Sequence, residues 1–321
     1  MYGQQDISRL VDEYMANLPI PCAPQGIYVP MAYTLAEGGK RLRPTLVCAA
    51  CNIFSDNILQ ALPPAAAVEV FHNFTLIHDD IMDNATLRRG RETVFRRWGA
   101  NTAILSGDAT LIFAYMLLGN TPREHLAAAL AQFNLLALEV CEGQQYDVDF
   151  ERADSVSTDD YFHMISLKTA ALMARALRIG AIVGGAGEAD CDALQDFGLN
   201  LGLAFQLQDD LLDAYGDAAT FGKSIGGDIL ERKKSYLMIC ALAQGFSTEI
   251  ETILSNGALS DEAKIAQVKQ IYDRAGAAAA AREAIEHYTS LALKALEPLS
   301  VAPERCDVLR AITLELLNRN K

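Results

Sequence analysis

Residues 74–86 (FTLIHDDIMDNAT) and residues 205–217 (FQLQDDLLDAYGD) each contain three aspartates at the spacing D-D-x-x-D. On an α-helix the first and third aspartates of this motif are four residues apart and lie on one face. The paired carboxylates are then Asp79 with Asp83, and Asp209 with Asp213. Because both motifs lie in apolar sequence, we predict two largely buried helices whose carboxylates need positive partners.

The rest of the chain has the pattern of helices. Residues 283–299 (EAIEHYTSLALKALEPL) repeat apolar side chains at spacings of three and four, as amphipathic helices do. Ala, Leu, Glu and Gln dominate over β-branched runs, and no stretch shows the pattern that predicts a strand. No linker rich in Pro, Ser or Gly separates two halves. We therefore predict one all-α domain over residues 1–321, folded as a helical bundle.

The charge balance excludes some partners. The chain has 27 Lys and Arg against 41 Asp and Glu, a net charge of −14, which disfavours nucleic acid and anionic membranes. The first residues lack a signal-peptide pattern, and no uncharged apolar run of about eighteen residues occurs, so we expect no membrane anchor and a cytoplasmic protein. Seven scattered cysteines, an odd number, are expected to be reduced thiols.

The paired carboxylates favour a magnesium site. A single D-D-x-x-D motif is more often a solvated acidic face, but two copies within apolar helices weigh against that interpretation. Carboxylate oxygens suit Mg²⁺, which binds few carboxylates together with substrate phosphates, whereas zinc would need His or Cys at ligand spacing. The basic segments GGKRLRP (38–44) and LRRGRE (87–92) could bind those phosphates, and no Walker loop is present. The sequence thus predicts two sites that bind anions.

Five segments in order resemble the trans-isoprenyl diphosphate synthases, or polyprenyl synthetases. They are GGKRLRP, HDDIMDNATLRRG, LKTA at 167–170, FQLQDDLLDAYGD and FGKSIGGDILERKKS. The resemblance implies an all-α bundle around a deep central cavity faced by the two aspartate-rich helices, and usually a homodimer. It also implies Mg²⁺-dependent head-to-tail condensation of dimethylallyl, geranyl or farnesyl diphosphate with isopentenyl diphosphate, which releases pyrophosphate and yields a short all-trans prenyl diphosphate.

The resemblance also assigns roles to single residues. The family's ligands of three Mg²⁺ ions match Asp79, Asp83, Asp209 and Asp213, with Asp210 in support. The residues that contact the allylic diphosphate match Arg88, Lys168, Lys223 and Lys233. Oxygens near Lys168, Thr169 and Gln206 would shelter the allylic cation. The positions that hold isopentenyl diphosphate match Lys40, Arg43, His72 and Arg89, with Arg41 adjacent. The glycine-rich segment 216–227 would be a lid.

Product length is expected to depend on the helix of the first motif. Phe74 lies five residues before Asp79 and Phe71 eight residues before it, while the fourth position holds the small Thr75. In related enzymes an aromatic residue at the fifth position limits elongation. The absence of a two-residue insertion in the motif resembles the geranylgeranyl type, whereas Phe71 could shorten the product. Both C15 and C20 products therefore remain open.

Two other functions are compatible with parts of the pattern. A class I terpene cyclase shares the first motif, but its second metal motif combines Asn or Asp with Ser or Thr and Glu, and it has no need for Lys40, Arg43 and His72. A non-catalytic regulatory subunit of a prenyl synthase would be expected to have lost motif aspartates or lid lysines. All of these residues are present, so the sequence favours the condensing enzyme.

Overall fold

The computed structural model of the protein describes residues 1–36, 39–216 and 225–317. The predicted α-helices are confirmed throughout these ranges. The helices of the first part are α1 (Gln4–Ala16), α2 (Gln25–Leu35), α3 (Leu42–Phe54), α4 (Leu62–Met82), α5 (Val94–Trp98), α6 (Ala100–Leu118) and α7 (Arg123–Arg152). They are followed by α8 (Thr158–Ile165), a π-helical turn (Ser166–Ala170), α9 (Ala171–Gly184) and α10 (Glu188–Tyr215). The last are α11 (Gly227–Leu230), α12 (Tyr236–Ala243), α13 (Ser247–Leu254), α14 (Asp261–Arg274), α15 (Ala277–Ala295) and α16 (Asp307–Leu317), with 3-10 turns at Ile58–Ala61 and Pro303–Cys306.

One β-hairpin interrupts the helices in the described residues. Strands β1 (Leu87–Arg88) and β2 (Arg91–Glu92) pair antiparallel, with Leu87 opposite Glu92 and Arg88 opposite Arg91. The turn between them contains Arg89 and Gly90, both with positive φ, at 52° and 76°. The hairpin directs the side chains of the LRRGRE segment, so its geometry matters for the site.

The chain divides into two compact units, and each is discontinuous in sequence. Unit 1 comprises Met1–Ala137, Leu172–Gly198 and Ala295–Ile312, and unit 2 comprises Leu138–Ala171, Leu199–Lys294 and Thr313–Lys321. Helix α4, with the first motif, belongs to unit 1, and the part of α10 that holds the second motif belongs to unit 2. The single domain predicted for residues 1–321 stays a prediction.

In unit 1 the end of α4 packs tightly against α6. Ile77 and Ala103 share a buried cluster with Val94 of α5. A Cβ atom added at Gly107 would lie 2.2 Å from Nε2 of His78, so only a glycine leaves room for this ring. The close packing of α4 on α6 positions the residue immediately before the first motif.

In unit 2 the second motif borders a large apolar core. Leu203, Leu207, Leu211 and Ala214 form a buried stripe along α10, and the same core includes Tyr161 of α8. The π-helical turn before α9 is held by close backbone approaches: a Cβ at Gly202 would lie 2.4 Å from Cα of Ala170, and one at Gly143 would lie 2.2 Å from N of Lys168. Residues Lys168 and Thr169 are thereby fixed beside α10.

Two helices satisfy the length and composition test for a membrane span. They are Ala100–Leu118, with 44% of its apolar window buried, and Arg123–Arg152, with 28% buried. Buried core helices pass the same test, so this observation is weak evidence for a membrane. The exposed apolar residues on these helices do call for an explanation.

Candidate active site

The first motif lies at the C-terminal end of α4. Asp79 and Asp80 belong to the last turn, and Asp83 is the exposed C-cap residue. The carbonyl groups at a helix C-terminus carry partial negative charge, which makes this an unfavourable place for carboxylates unless cations accompany them. Arginine is one such cation.

Arg88 of the hairpin joins two of these aspartates. Its Nε donates to Asp80 Oδ1 at 2.7 Å, and its Nη2 donates to Asp79 Oδ2 at 2.9 Å. Asp80 is only 4% exposed, and burial raises its pKa to about 6, against the opposing effect of Arg88. The guanidinium therefore orients the carboxylates. We call Asp79, Asp80, Asp83 and Arg88 the first aspartate cluster.

A second group of charges in unit 1 surrounds His72, which lies seven residues before Asp79 on α4. Arg43 in the first turn of α3, His72 of α4 and Arg89 of the hairpin form what we call the basic cluster. Burial, followed by Arg43 and Arg89, lowers the pKa of His72 well below 6.5, so its imidazole is neutral near pH 7. A Cβ at Gly39 would lie 3.0 Å from Arg89 Nη1, which places this guanidinium against the backbone of the GGKRLRP segment.

The structure adds a residue to the basic cluster that the sequence did not reveal. Glu69 is one helical turn before His72 and only 9% exposed. Burial raises the pKa of the Glu69 carboxyl, while Arg43 lowers it. The sequence did contain a signal for this residue, because Glu69 is a charged residue on a predicted buried helix and lies three residues before the candidate His72. Its carboxylate offsets part of the arginine charge.

The other two basic residues of the GGKRLRP segment, Lys40 and Arg41, have different surroundings. Arg41 has left-handed backbone geometry (φ 39°), and its side chain bonds Asp12 at 3.1 Å and the Leu35 carbonyl at 3.3 Å. Lys40 is exposed. Arg41 thus ties α3 to α1 and α2, so we keep it only as a neighbour of the basic cluster.

The second motif lies near the end of α10 in unit 2. Asp213 is 8% exposed, and its Oδ2 accepts from the Asp228 amide at 3.1 Å, while its carbonyl accepts from Gly226 N at 2.7 Å. These bonds hold the segment before α11 against the helix. Asp209 is partly exposed, and we call Asp209, Asp210 and Asp213 the second aspartate cluster.

Asp210, the middle residue of this cluster, has three donors. Its Oδ2 accepts from the Tyr161 hydroxyl at 2.7 Å and from the Tyr236 amide at 2.8 Å, and its Oδ1 accepts from Gln206 Nε2 at 2.9 Å. Gln206 Oε1 in turn accepts from Thr169 Oγ1 at 3.0 Å. Burial raises the pKa of Asp210, with Asp228 adding to the effect. Tyr161 was not predicted, because it is 49 residues away in sequence.

The predicted lysines differ in what the structure shows. Lys168, in the π-helical turn, has its Nζ 2.5 Å from Asp147 Oδ2 on α7. Lys233 has its Nζ 3.3 Å from Glu231 Oε2, and its amide bonds the Asp228 carbonyl at 2.9 Å. Lys223 and most of the predicted lid lie outside the described residues. Asp147 is therefore a further candidate residue of unit 2.

The three residues predicted to control product length are not equivalent. Phe71 is fully buried, and the centroids of its ring and of the Phe133 ring are 5.5 Å apart. Phe74 is 9% exposed, and the centroids of its ring and of the His78 ring are 4.8 Å apart. Thr75 is half-buried, and its hydroxyl donates to the His72 carbonyl at 2.8 Å. Phe71 and Phe74 are thus both buried, with ring centroids 5.6 Å apart, whereas Thr75 is only half-buried.

The structure thus brings the predicted residues together within each unit. In unit 1 one hairpin supplies Arg88 to the first aspartate cluster and Arg89 to the basic cluster. In unit 2 the second aspartate cluster adjoins Thr169 and Gln206. In the described parts of the chain no three His, Cys, Asp or Glu side chains are grouped as a preformed metal site. Pairs of carboxylate oxygens that still need further oxygen ligands fit Mg²⁺ bound together with phosphate.

Comparison with known proteins identifies the family. The family model described as polyprenyl synthetase matches residues 24–275. The chain belongs to the polyprenyl synthetase family. This polyprenyl synthetase is 37% identical to the geranylgeranyl pyrophosphate synthase of Geoglobus acetivorans, over 94% of its own length and 93% of the relative. It is also 37% identical to the geranylfarnesyl diphosphate synthase of Natronomonas pharaonis, over 94% and 89% of the two chains.

The same family is found among solved structures. A crystal structure of a geranylgeranyl pyrophosphate synthase superimposes with a TM-score of 0.94 at 44% identity and covers 100% of both chains. The predicted all-α isoprenoid synthase fold is therefore confirmed. The protein is a prenyltransferase, as predicted.

Proposed function

We propose that this polyprenyl synthetase condenses an allylic diphosphate with isopentenyl diphosphate and releases pyrophosphate. The observation that carries the proposal is the basic cluster of Arg43, His72 and Arg89, which unit 1 holds in addition to the first aspartate cluster. Metal ions held by carboxylates are sufficient to bind one diphosphate. A separate set of cations supports a second diphosphate, which condensation requires and cyclisation does not.

The aspartate clusters are suited to hold Mg²⁺. Asp79 and Asp83 of unit 1 and Asp209 and Asp213 of unit 2 present only hard oxygen ligands, and three ions together with the allylic diphosphate would match the predicted set. Bound Mg²⁺ would supply charge stabilisation for the departing diphosphate. Arg88 holds Asp79 in place. The resemblance of the sequence assigns Lys168, Lys223 and Lys233 to contacts with the allylic diphosphate.

The chain's polar side chains would then protect the allylic cation. The C1–O bond of the allylic substrate breaks and both electrons leave with pyrophosphate oxygen. The hydroxyl of Thr169 and the carbonyl oxygen of Gln206, which bond each other at 3.0 Å, present partial negative charge to the cation. The double bond of isopentenyl diphosphate attacks C1, and a proton then leaves to pyrophosphate, so no side-chain base is assigned.

The basic cluster would bind isopentenyl diphosphate. Arg43 and Arg89 supply charge, Lys40 can add to it from the surface, and the neutral His72 can donate one hydrogen bond. Glu69 limits the repulsion between the arginines before substrate binds. We expect Arg89→Gln to raise KM for isopentenyl diphosphate about tenfold or more, equivalent to one charge-assisted hydrogen bond, with little change in KM for the allylic substrate.

We assign geranylgeranyl diphosphate, the C20 compound, as the product. The small Thr75 beside Phe74 and the relatives named geranylgeranyl synthases support this choice over C15. Phe74→Ala is expected to give longer products by mass spectrometry. Phe71→Ala is the matched control, since it should destabilise the fold by about 3–5 kcal/mol without lengthening the product. A C15 product from the wild type would refute the C20 assignment, and unchanged product length in Phe74→Ala would refute the role of Phe74.

We also propose a homodimer. Helix α6 exposes Leu105, Ile112 and Met116, which are 57%, 62% and 63% exposed and lie on one stripe. Exposed apolar stripes of this kind mark contact surfaces, and a second copy of the chain would cover them. Light scattering after size exclusion should give twice the chain mass, and Ile112→Glu should reduce it. Leu59→Glu, at a 52% exposed position off this stripe, should remain dimeric.

The test of the proposed function uses labelled isopentenyl diphosphate. Incorporation of label into a linear prenyl diphosphate, abolished in Asp79→Ala and weakened in Arg89→Gln, would support condensation. A hydrocarbon formed from the allylic diphosphate alone would instead identify a cyclase. Binding without turnover would identify a regulatory subunit.

A further inference from the structure

A chain of hydrogen bonds in unit 2 ends at the two side chains proposed to shelter the cation. It runs from Tyr161 and the Tyr236 amide through Asp210 to Gln206 and then to Thr169, with donor–acceptor distances of 2.7, 2.8, 2.9 and 3.0 Å. Tyr161 and Asp210 are buried, whereas Gln206 and Thr169 are partly exposed. The buried end of the chain therefore supports the open end.

The chemistry of the partners determines which way the Gln206 amide faces. Asp210 Oδ1 accepts from Gln206 Nε2, and Oδ2 accepts from two other donors, so the group of Gln206 that faces Asp210 is its NH₂. The carbonyl oxygen Oε1 is then directed to the opposite side, toward Thr169. Because it accepts from that hydroxyl, the lone pairs of Thr169 Oγ1 also remain available as acceptors.

Asp210 is itself held in one orientation. Both of its oxygens have donors, and Oδ2 has two: the hydroxyl of Tyr161 and the main-chain amide of Tyr236. Turning this carboxylate would leave these donors, including the buried Tyr161 hydroxyl, without acceptors, which is unfavourable. Its oxygens are thus engaged inward, toward donors of the protein.

We propose that Asp210 is a positioning residue which, supported by Tyr161, keeps the carbonyl oxygen rather than the amide nitrogen of Gln206 directed at the allylic cation. The inference rests on the proposed function, since it concerns the cation formed there. An oxygen dipole stabilises adjacent positive charge, and an NH₂ group in its place would repel it. Asp210 differs from Asp209 and Asp213 because it acts through Gln206 and not through a metal ion.

Asp210→Asn tests the proposal, because this change should reverse the Gln206 amide. The two donors at Oδ2 would select the oxygen of the new asparagine, so its NH₂ would face Gln206. Gln206 would then have to present its carbonyl to residue 210 and its NH₂ to Thr169. We expect kcat to fall about tenfold to a hundredfold, in the range of losing one preorganised dipole, with little change in either KM.

A second substitution should restore the original pattern. In Asp210→Asn with Gln206→Glu, the asparagine NH₂ donates to one carboxylate oxygen of residue 206, and the other oxygen accepts from Thr169. The net charge of the pair is unchanged. The double variant should recover most of the lost kcat, whereas Gln206→Glu alone opposes two carboxylates and should be impaired. Asp273→Asn is the matched control, since Asp273 also accepts from a tyrosine hydroxyl, Tyr215, at 2.7 Å and is exposed.

Two readouts separate this inference from the proposed function. If wild type condenses the substrates and Asp210→Asn keeps the wild-type kcat, or the double variant is no better than Asp210→Asn, the inference is overturned. If wild type shows no condensation, the proposed function fails instead. Amide orientation is then measured alone by NMR: nuclear Overhauser effects from the Gln206 NH₂ to the Thr169 methyl group should be weak in wild type and strong in Asp210→Asn. Equal intensities would overturn the inference.

Discussion

The two D-D-x-x-D motifs have the same spacing but different partners. In unit 1 the middle aspartate, Asp80, accepts from a cation, Arg88, at 2.7 Å. In unit 2 the middle aspartate, Asp210, accepts from a tyrosine hydroxyl, a main-chain amide and a glutamine. The first arrangement balances charge, whereas the second orients a neutral side chain. Equal motifs therefore do not imply equal roles for their corresponding residues.

The third aspartates differ as well. Asp83 is exposed at the end of α4, while Asp213 is buried and accepts from the Asp228 amide at 3.1 Å. A buried carboxylate must exchange an existing hydrogen bond before it can bind a metal ion. We expect Asp213 to exchange its bond with the Asp228 amide when Mg²⁺ and diphosphate bind.

The largest effects should come from the first aspartates, where the two motifs are most alike. Asp79→Asn and Asp209→Asn should each lower kcat about 10²- to 10³-fold, the range for losing one strong electrostatic contact. Steady-state assays at varied Mg²⁺ concentration measure both. A fall of less than tenfold in either variant would show that its motif does not bind a catalytic metal.

The ion pair of the first motif's middle aspartate, Asp80, with Arg88 should contribute to stability. Arg88→Gln leaves the buried Asp80 without its cation and should lower the free energy of unfolding by about 3–5 kcal/mol. Adding Asp80→Asn should recover much of the loss, because no buried charge then remains. Urea unfolding of both variants measures the coupling. Equal stability of the single and double variants would mean that Arg88 acts only toward substrate.

The two close glycine contacts should separate the motifs further. A Cβ at Gly143 would meet the Lys168 backbone at 2.2 Å, whereas a Cβ at Gly107 would meet the side chain of His78 at the same distance. Backbone yields less readily than a side chain, so Gly143→Ala should cost about 1–3 kcal/mol and Gly107→Ala less. Thermal unfolding measures both changes. Gly187→Ala, where nothing lies within 4 Å, is the control, and a reversed order would contradict the contacts.

The smallest effect concerns the helix that carries Tyr161. Ser157 caps α8: its Oγ accepts from the Asp160 amide at 3.1 Å, and the Asp160 carboxylate accepts from the Ser157 amide at 3.2 Å. Ser157→Ala should lower stability by about 1 kcal/mol, the usual contribution of an N-cap. If it lowered kcat as well, in assays below the unfolding temperature, support of Asp210 would extend to the start of α8.

Much of the fold could be predicted because helical periodicity is a local property. The apolar spacing predicted α10 and α4, and the motif spacing placed Asp79 and Asp209 on them. The hairpin at 87–92 was missed, since two-residue strands are too short to show alternation. The π-helical turn depends on the close approach of Gly143 and Gly202, which are distant in sequence.

The partners of the motif residues could not be predicted for a related reason. The D-D-x-x-D pattern gives Asp80 and Asp210 the same status, and only contacts with Arg88 and with Tyr161 distinguish them. Arg88 is eight residues from Asp80, but Tyr161 is 49 residues from Asp210. Similarly, Phe71 packs against Phe133 and Phe74 against His78, although both are buried aromatic residues on one helix.

The most direct measurement is the mass of the product formed from farnesyl diphosphate and ¹³C-labelled isopentenyl diphosphate in the presence of Mg²⁺. Condensation should give linear geranylgeranyl diphosphate that contains one labelled unit, with none formed in Asp79→Ala. An unlabelled hydrocarbon, or no product from wild type, would show that the protein does not condense these substrates.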